Sequence, residues 1–503
     1  MKRLIGTIAT TILTSFAPMH MAAQVERLGQ GIEYMGEVSS TISDRSISPL
    51  WLNSNRNGLS STEGCSGYLR GSIERNINLD ADRMWKVGYG ADIVVPVNHT
   101  ANFFVHQLYG QLQYDKYRLT IGSKVFDEEF TNSELSSGDL TSSNNARPIP
   151  QVRIELPDYW TVPGTDGWLG IKLQLSYGWF TDNNWQEDFT QKKTLYSANS
   201  LFHQKALFIK VGDEERFPLT FNGGLEFASQ FGGEAWNVSK RLDDTSDFTG
   251  EHIKMNSGLK GYMNILFMGG SDANDGDYKN AEGNHVGSWH GSLKYHGKGW
   301  SVRGYFEHFF EDHSQLFFQY GWKDMMWGIE AQLPKNPLAS NVVVEYLNTT
   351  DQTGGLYHDA TDNLPVQISG MDCYYNHHIY GSWQHWGQAI GNPLLVSPIY
   401  NNNGILEFFH NRIKAFHLGV SGGPTEDIHY RLLYSHVKSW GTYYHPLTNP
   451  QRDRFLLAEL TYKSPRYKGW SITGSLGVNS GDIIKNSIGT MFTLRKTGIL
   501  NLK

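Results

Sequence analysis

The chain has 503 residues, 43 Lys and Arg against 50 Asp and Glu for a formal net charge of −7, with 39% hydrophobic and 13% aromatic residues. So small an acidic excess, with no basic runs, excludes a nucleic-acid partner, whose binding draws on clustered cations. Two cysteines, Cys65 and Cys373, exclude a disulfide framework, although one bridge between them is chemically open in an oxidising compartment.

The first element is residues 1–23, where Lys2 and Arg3 precede an apolar stretch from Leu4 to Phe16 and the run MAA closes at Ala23. This pattern reads as a secretory signal peptide cleaved before Gln24, and no cysteine at the cut site calls for lipoprotein processing. Residues 24–503 contain no apolar run near the ~20 residues a spanning helix needs. A membrane crossing by this chain must therefore use strands.

Period 2 dominates the rest of the chain. In WKVGYGADIVV, Val87, Tyr89, Ala91 and Ile93 oppose Lys86, Gly88, Gly90 and Asp92. WLGIKLQLSYGWF puts Leu169, Ile171, Leu173, Leu175, Tyr177 and Trp179 on one face, and GWSITGSLGVN repeats the split near the C-terminus. The second face is rich in Gly, Ser, Gln and Thr with scattered charges, which suits a crowded polar lumen better than open solvent. Strands are predicted near 31–43, 66–77, 85–96, 104–115, 117–125, 152–157, 168–181, 204–213, 217–230, 286–296, 300–314, 325–333, 341–348, 407–421, 427–439, 453–463, 469–479 and 485–497.

That makes about 18, the even number of single-chain bacterial barrels, so the fold class is an all-β transmembrane antiparallel β-barrel with long extracellular loops. Tight breakers such as PGTDG (163–167), GKG (297–299) and YKG (467–469) fall between runs at the periplasmic end. The opposite connections, 44–65, 126–151, 182–203, 231–285 and 349–403, are long and face outward. The chain ends on NLK rather than on an aromatic residue.

LSSGDLTSSNNARPIPQVRIEL (135–156), SPLWLNSNRNGLSS (48–61) and GYLRGSI (67–73), with LPKNP (333–337) and VVVEYLNTTDQTG (342–354), resemble the Wzi family of capsule-assembly outer-membrane proteins. The resemblance runs from about residue 30 to the C-terminus. It implies an 18-stranded barrel acting as an outer-membrane lectin that fixes capsular or other exported polysaccharide to the cell surface. The enterobacterial members also carry a periplasmic helical bundle, for which the N-terminal region of this sequence shows no amphipathic helices.

The loop motif Asn145, Arg147, Pro148 and Pro150 should be extended and stiff, because each proline fixes its own φ and restricts the residue before it. It is expected to fold inward as a lid, with Arg147 pairing with a luminal carboxylate, or else to touch the polysaccharide. Sugar binding needs flat amphipathic rings, and the outward loops offer Tyr374, Tyr375, Trp383 and Trp386, with Trp440, Tyr443 and Tyr444 at a second rim. The alternative for each ring is a place in the interfacial girdle or in loop packing. Arg70, Glu74, Lys172, Arg303, Glu307 and Arg431 fall on the polar phase and are expected to pair and fill the lumen.

No HExxH or GxSxG motif is present. In SDANDGDY (271–278) the glycine falls one position early for a calcium loop. The sequence thus predicts no catalytic residues, no cofactor and no metal. It leaves a diffusion porin for sugars or small solutes, and an outer-membrane lipid-modifying enzyme, as alternatives to the lectin. Its partners would be the polysaccharide and outer-membrane lipid.

Overall fold

The computed structural model describes residues 28–502 except 81, 239–249, 269–281, 312–322, 335, 359–361 and 364–367. The expected signal peptide and the SDANDGDY segment lie outside these residues. Alternation of apolar and small polar side chains leaves each strand two dissimilar faces, and the chain satisfies both by closing into a cylinder. The strands are β1 (Ile32–Ile47), β2 (Glu63–Asn78), β3 (Trp85–Val97), β4 (Phe104–Tyr114), β5 (Tyr117–Ser123), β6 (Gln151–Glu155), β7 (Leu169–Trp179), β8 (Leu201–Val211) and β9 (Leu219–Phe231). They continue as β10 (Asn284–His296), β11 (Ser301–Glu311), β12 (Met325–Gln332), β13 (Asn341–Asn348), β14 (Ile413–Gly422), β15 (Ile428–Gly441), β16 (Pro446–Lys463), β17 (Trp470–Gly481) and β18 (Ser487–Leu500).

Each strand pairs antiparallel with the next. β6 resumes briefly at Trp160–Thr161 against the same neighbour, β7. The ring closes where β1 meets β18, in register from Ile32 opposite Leu500 to Ser43 opposite Gly489. The result is an 18-stranded antiparallel barrel. No helix among the described residues is long and apolar enough to cross a membrane. All eighteen expected strands are present. The largest displacements are at β14, which begins at Ile413 rather than near 407, and β16, which extends back to Pro446 in a tall hairpin with β15.

The outer wall is the apolar phase: Val38, Leu69, Ile93, Leu173, Leu207, Ile329, Leu456 and Phe492 are all exposed there. Inside, the expectation of a mainly polar lumen is corrected. The principal hydrophobic core lies within the cylinder, where Phe202, Tyr305, Phe309, Met326 and Leu457 of the wall pack against Leu50–Leu52, Leu135, Leu140 and Ile149, and against 374–408. Three inward segments supply that core. They are 48–61, with its helical turn Leu50–Asn53; 124–150, which leaves the wall after β5 and rejoins it at β6; and 372–411.

The second segment descends far into the barrel. Asn132 Nδ2 donates to Glu330 Oε1 at 2.9 Å, and the Glu134 carbonyl accepts from Arg431 at 3.1 Å, both near the short-turn end. On the way back, Glu345 Oε2 accepts from Ser137 N (2.8 Å) and Ser137 Oγ (2.6 Å), its Oε1 accepts from Ser136 Oγ and Tyr305 Oη, and Glu307 Oε2 accepts from Leu140 N at 2.8 Å. Buried backbone without regular structure must find partners for its N–H groups, and wall carboxylates provide them here. Gly419 of β14 makes room for the plug: a Cβ there would overlap the Leu135 carbonyl.

Candidate functional site

The segments 48–61 and 135–156 meet inside the outer mouth. Asn57 N and Gly58 N donate to the carbonyls of Asn144 and Asn145, and Asn145 bridges Asn55 N to the Ala389 carbonyl through its side chain. Gly58 has φ +64°, and a side chain there would strike Arg147 Cγ at 2.5 Å, so the close approach requires glycine. Pro148 and Pro150 hold the next residues extended, with the Pro148 carbonyl accepting from Ser123 Oγ at 3.1 Å and the Pro150 carbonyl from Trp179 N at 3.1 Å.

Arg147 does not pair with a carboxylate, contrary to the expectation from sequence. Its guanidinium lies between two rings, 3.8 Å from the centroid of Phe104 and 4.4 Å from that of Trp386, and donates to Thr100 Oγ1 (2.8 Å) and His99 Nδ1 (2.9 Å). The aromatic faces supply what a carboxylate would otherwise give. Burial lowers its pKa to about 9, which leaves it cationic at neutral pH. His99 Nδ1 also accepts from Thr100 N at 2.8 Å, so its proton belongs on Nε2. Burial, with Arg147 beside it, holds the His99 pKa down to about 3.

Trp386 reaches this place from a two-residue hairpin turn. Gln384 and His385 pair with Ala389 and Gln388, and the turn residues Trp386 and Gly387 have φ +56° and +81°. Both positive angles define the turn that matches strand twist, and a non-glycine residue there carries local strain. Trp386, Arg147, His99, Thr100, Gln388, Ser60 and Ile399 line a narrow cleft with about 10 Å³ of free volume. Four of its buried polar atoms, Ser60 Oγ, His99 Nε2, Arg147 Nη1 and Gln388 Oε1, have no hydrogen-bond partner. Such atoms are costly unless something polar meets them, and the space admits one hydroxyl or water.

The other expected sugar platforms separate into two groups. Tyr374, Tyr375 and Trp383 are at most 1% exposed and belong to the core: Trp383 Nε1 donates to the Thr141 carbonyl, Tyr374 Oη to Asp324, and Tyr375 N to Glu311. With both faces covered they present no surface to a glycan, which corrects that assignment. Trp440, Tyr443 and Tyr444 stand at the rim. Tyr444 is 69% exposed, Tyr443 lies 3.8 Å over the Arg412 guanidinium, and Lys438 Nζ lies 4.6 Å from the Trp440 ring.

The luminal charges pair as follows. Arg70 Nη2 meets Asp92 Oδ2 at 2.6 Å, Lys172 meets Glu129 at 2.5 Å, Arg431 meets Glu459 at 2.9 Å, and Arg303 Nε donates to Glu330 at 3.0 Å. Glu74 stays exposed toward the short-turn end, and Glu307 accepts from plug amides rather than pairing with a Lys or Arg side chain. Cys65 and Cys373 are both free thiols. Sequence reasoning missed His99, Gln388, Glu330 and Glu345. An inward-phase glutamate without a matching cation was the available signal for Glu345, and its place opposite Arg303 in the β11–β12 hairpin was the signal for Glu330; nothing local marked the first two.

No protein-family model and no curated protein matches the chain. Among solved structures it is similar to Wzi of Escherichia coli, an outer-membrane protein involved in group 1 capsule assembly and described as a carbohydrate-binding β-barrel. That likeness has 13% identity and a TM-score of 0.54, covering 94% of this chain and 86% of that one. OccK2 of Pseudomonas aeruginosa follows at 7% identity and TM-score 0.47, covering 94% and 98%. OccAB4 of Acinetobacter baumannii has 8% identity and TM-score 0.44, covering 94% and 99%. The closed sheet and the likeness to Wzi define the class: an 18-stranded antiparallel β-barrel of the outer-membrane type.

Proposed function

We propose that this barrel is a non-catalytic lectin that holds capsular or other exported polysaccharide at the cell surface. The observation that carries the reading is that the cylinder is filled by its own chain while unmet polar atoms gather beside a half-buried tryptophan at the outer mouth. A sugar laid on Trp386 can send one hydroxyl into the cleft, where Arg147 Nη1 and His99 Nε2 donate and Gln388 Oε1 accepts. Arg147 also adds a positive charge that favours an acidic polymer. The rim rings Trp440, Tyr443 and Tyr444 would offer the polymer further aromatic surface. The apolar outer wall carries hollows of about 540 and 710 Å³, which suit acyl chains of outer-membrane lipid.

The test is retention of the producing strain's own exported polysaccharide on detergent-purified barrel. Wild type should retain it, and Trp386→Ala or Gln388→Ala should retain several-fold less while keeping the folded gel mobility. Trp383→Ala should instead lower the unfolding temperature, since it removes a core ring worth about 3–5 kcal/mol. Equal retention by wild type and Trp386→Ala would remove the cleft from the account.

A further inference from the structure

The plug meets the wall at a second cluster, whose three residues do not line the cleft beside Trp386. Asp139 on the plug, His290 on β10 and Glu307 on β11 each present a ligand atom, and these atoms lie within 4.8 Å of one another. All three residues are buried, at 3%, 3% and 1% exposure. Asp139 Oδ1 and both ring nitrogens of His290 have no hydrogen-bond partner. An orphaned carboxylate oxygen beside an imidazole whose nearest acidic neighbour, Glu226, stands 3.6 Å away is an expensive arrangement inside a protein, and Glu307, which already accepts from Leu140 N, Thr141 N and Ser288 Oγ, is close enough to serve as a third donor.

The surroundings deepen the deficit. Glu128 accepts from Asn144 N at 2.8 Å, and Glu226 accepts from Gln204 and Ser142. None of Glu128, Asp139 and Glu307 has a Lys or Arg partner in an ion pair among the described residues. Several carboxylates thus share a dry space with one imidazole, and like charges so placed call for a cation. His290 Nε2 lies 3.6 Å from Glu226 Oε2, the kind of carboxylate contact that orients a ligating imidazole, and the ring stacks on Phe130 at 4.7 Å.

We propose that Asp139, His290 and Glu307 bind one divalent cation of the Zn²⁺ or Mn²⁺ class, joining the plug to the barrel wall. One imidazole with two carboxylates is a borderline-hard donor set, which disfavours the soft ions that thiolates select and suits these two. Because the donors come from three separate segments, no local spacing motif displays the site.

The barrel, purified in detergent, is stripped with a chelator, unfolded, and refolded with Co²⁺, Zn²⁺ or Mn²⁺ before desalting. The expected result is one ion per chain by elemental analysis, visible d–d absorption from the Co²⁺ form, and a higher unfolding temperature than the chelated protein. Asp139→Asn and His290→Gln should each lose the ion and the absorption, whereas His436→Gln, on the outer wall, should keep both. Wild type refolded without bound ion, or the same ion content in the two site variants, would overturn the proposal and leave the charge to be cancelled by protons. Should a site variant fail to fold, the wild-type difference in unfolding temperature with and without metal decides, and no difference refutes the site.

Discussion

Glu345 shows how single wall residues hold the plug. It accepts from Ser136, Ser137 and Tyr305, so Glu345→Ala strands a buried N–H and three hydroxyls, each costing about 1–3 kcal/mol. The unfolding temperature should drop by an amount equivalent to about 3 kcal/mol or more, whereas Glu74→Ala, at an exposed position, should leave it within about 0.5 kcal/mol. His99 supplies a pH dependence. Its folded pKa, about 3, lies below the ordinary histidine value, so between pH 6.5 and 3 the unfolded chain binds a proton the folded one refuses. The stabilisation is complete above about pH 6.5 and is lost as pH falls toward 3, at about 1.4 kcal/mol per unit. Going from pH 7 to 5 should cost wild type up to about 2 kcal/mol more than His99→Gln, measured by thermal unfolding of both at the two pH values.

At the level of elements, the strands were legible and the plug was not, for one physical reason. A strand lining a barrel must alternate, so Leu169 to Trp179 or Trp470 to Val478 announced their two faces, and the outer one is exposed as read. Segment 124–150 has no period because its backbone bonds go to wall side chains instead of to a ladder. The stiffness of its last residues could still be read from Pro148 and Pro150, whereas its inward course was only one of two options. The aromatic set of 372–411 misled because a ring packed in a core and a ring left partly open look alike in sequence; Trp383 is fully buried and Trp386, three residues on, is half-buried. Leu135, Leu140 and Ile149, apolar residues spaced through a polar loop, were the overlooked sign that the loop is interior. Replacing 130–146 with a short Gly-Ser linker should leave β5 and β6 paired, since their ladder ends at Gly122 opposite Gln151, yet open a conducting path. A linker variant that folds and stays silent would show that this segment is not what closes the barrel.

The whole molecule combines a lipid-facing cylinder with a core inside it. Outer-membrane barrels that conduct solutes need a wet lumen, whereas here Leu50–Leu52, Leu140, Tyr375, Trp383 and Phe408 pack with wall phenylalanines into a buried core inside the cylinder. On the function proposed above, this arrangement assigns binding to the outer mouth rather than the interior. The most direct test is single-channel recording of the wild-type protein in planar bilayers at neutral pH. A barrel filled by its own segments is predicted to be silent; large, steady, reproducible channels would contradict it.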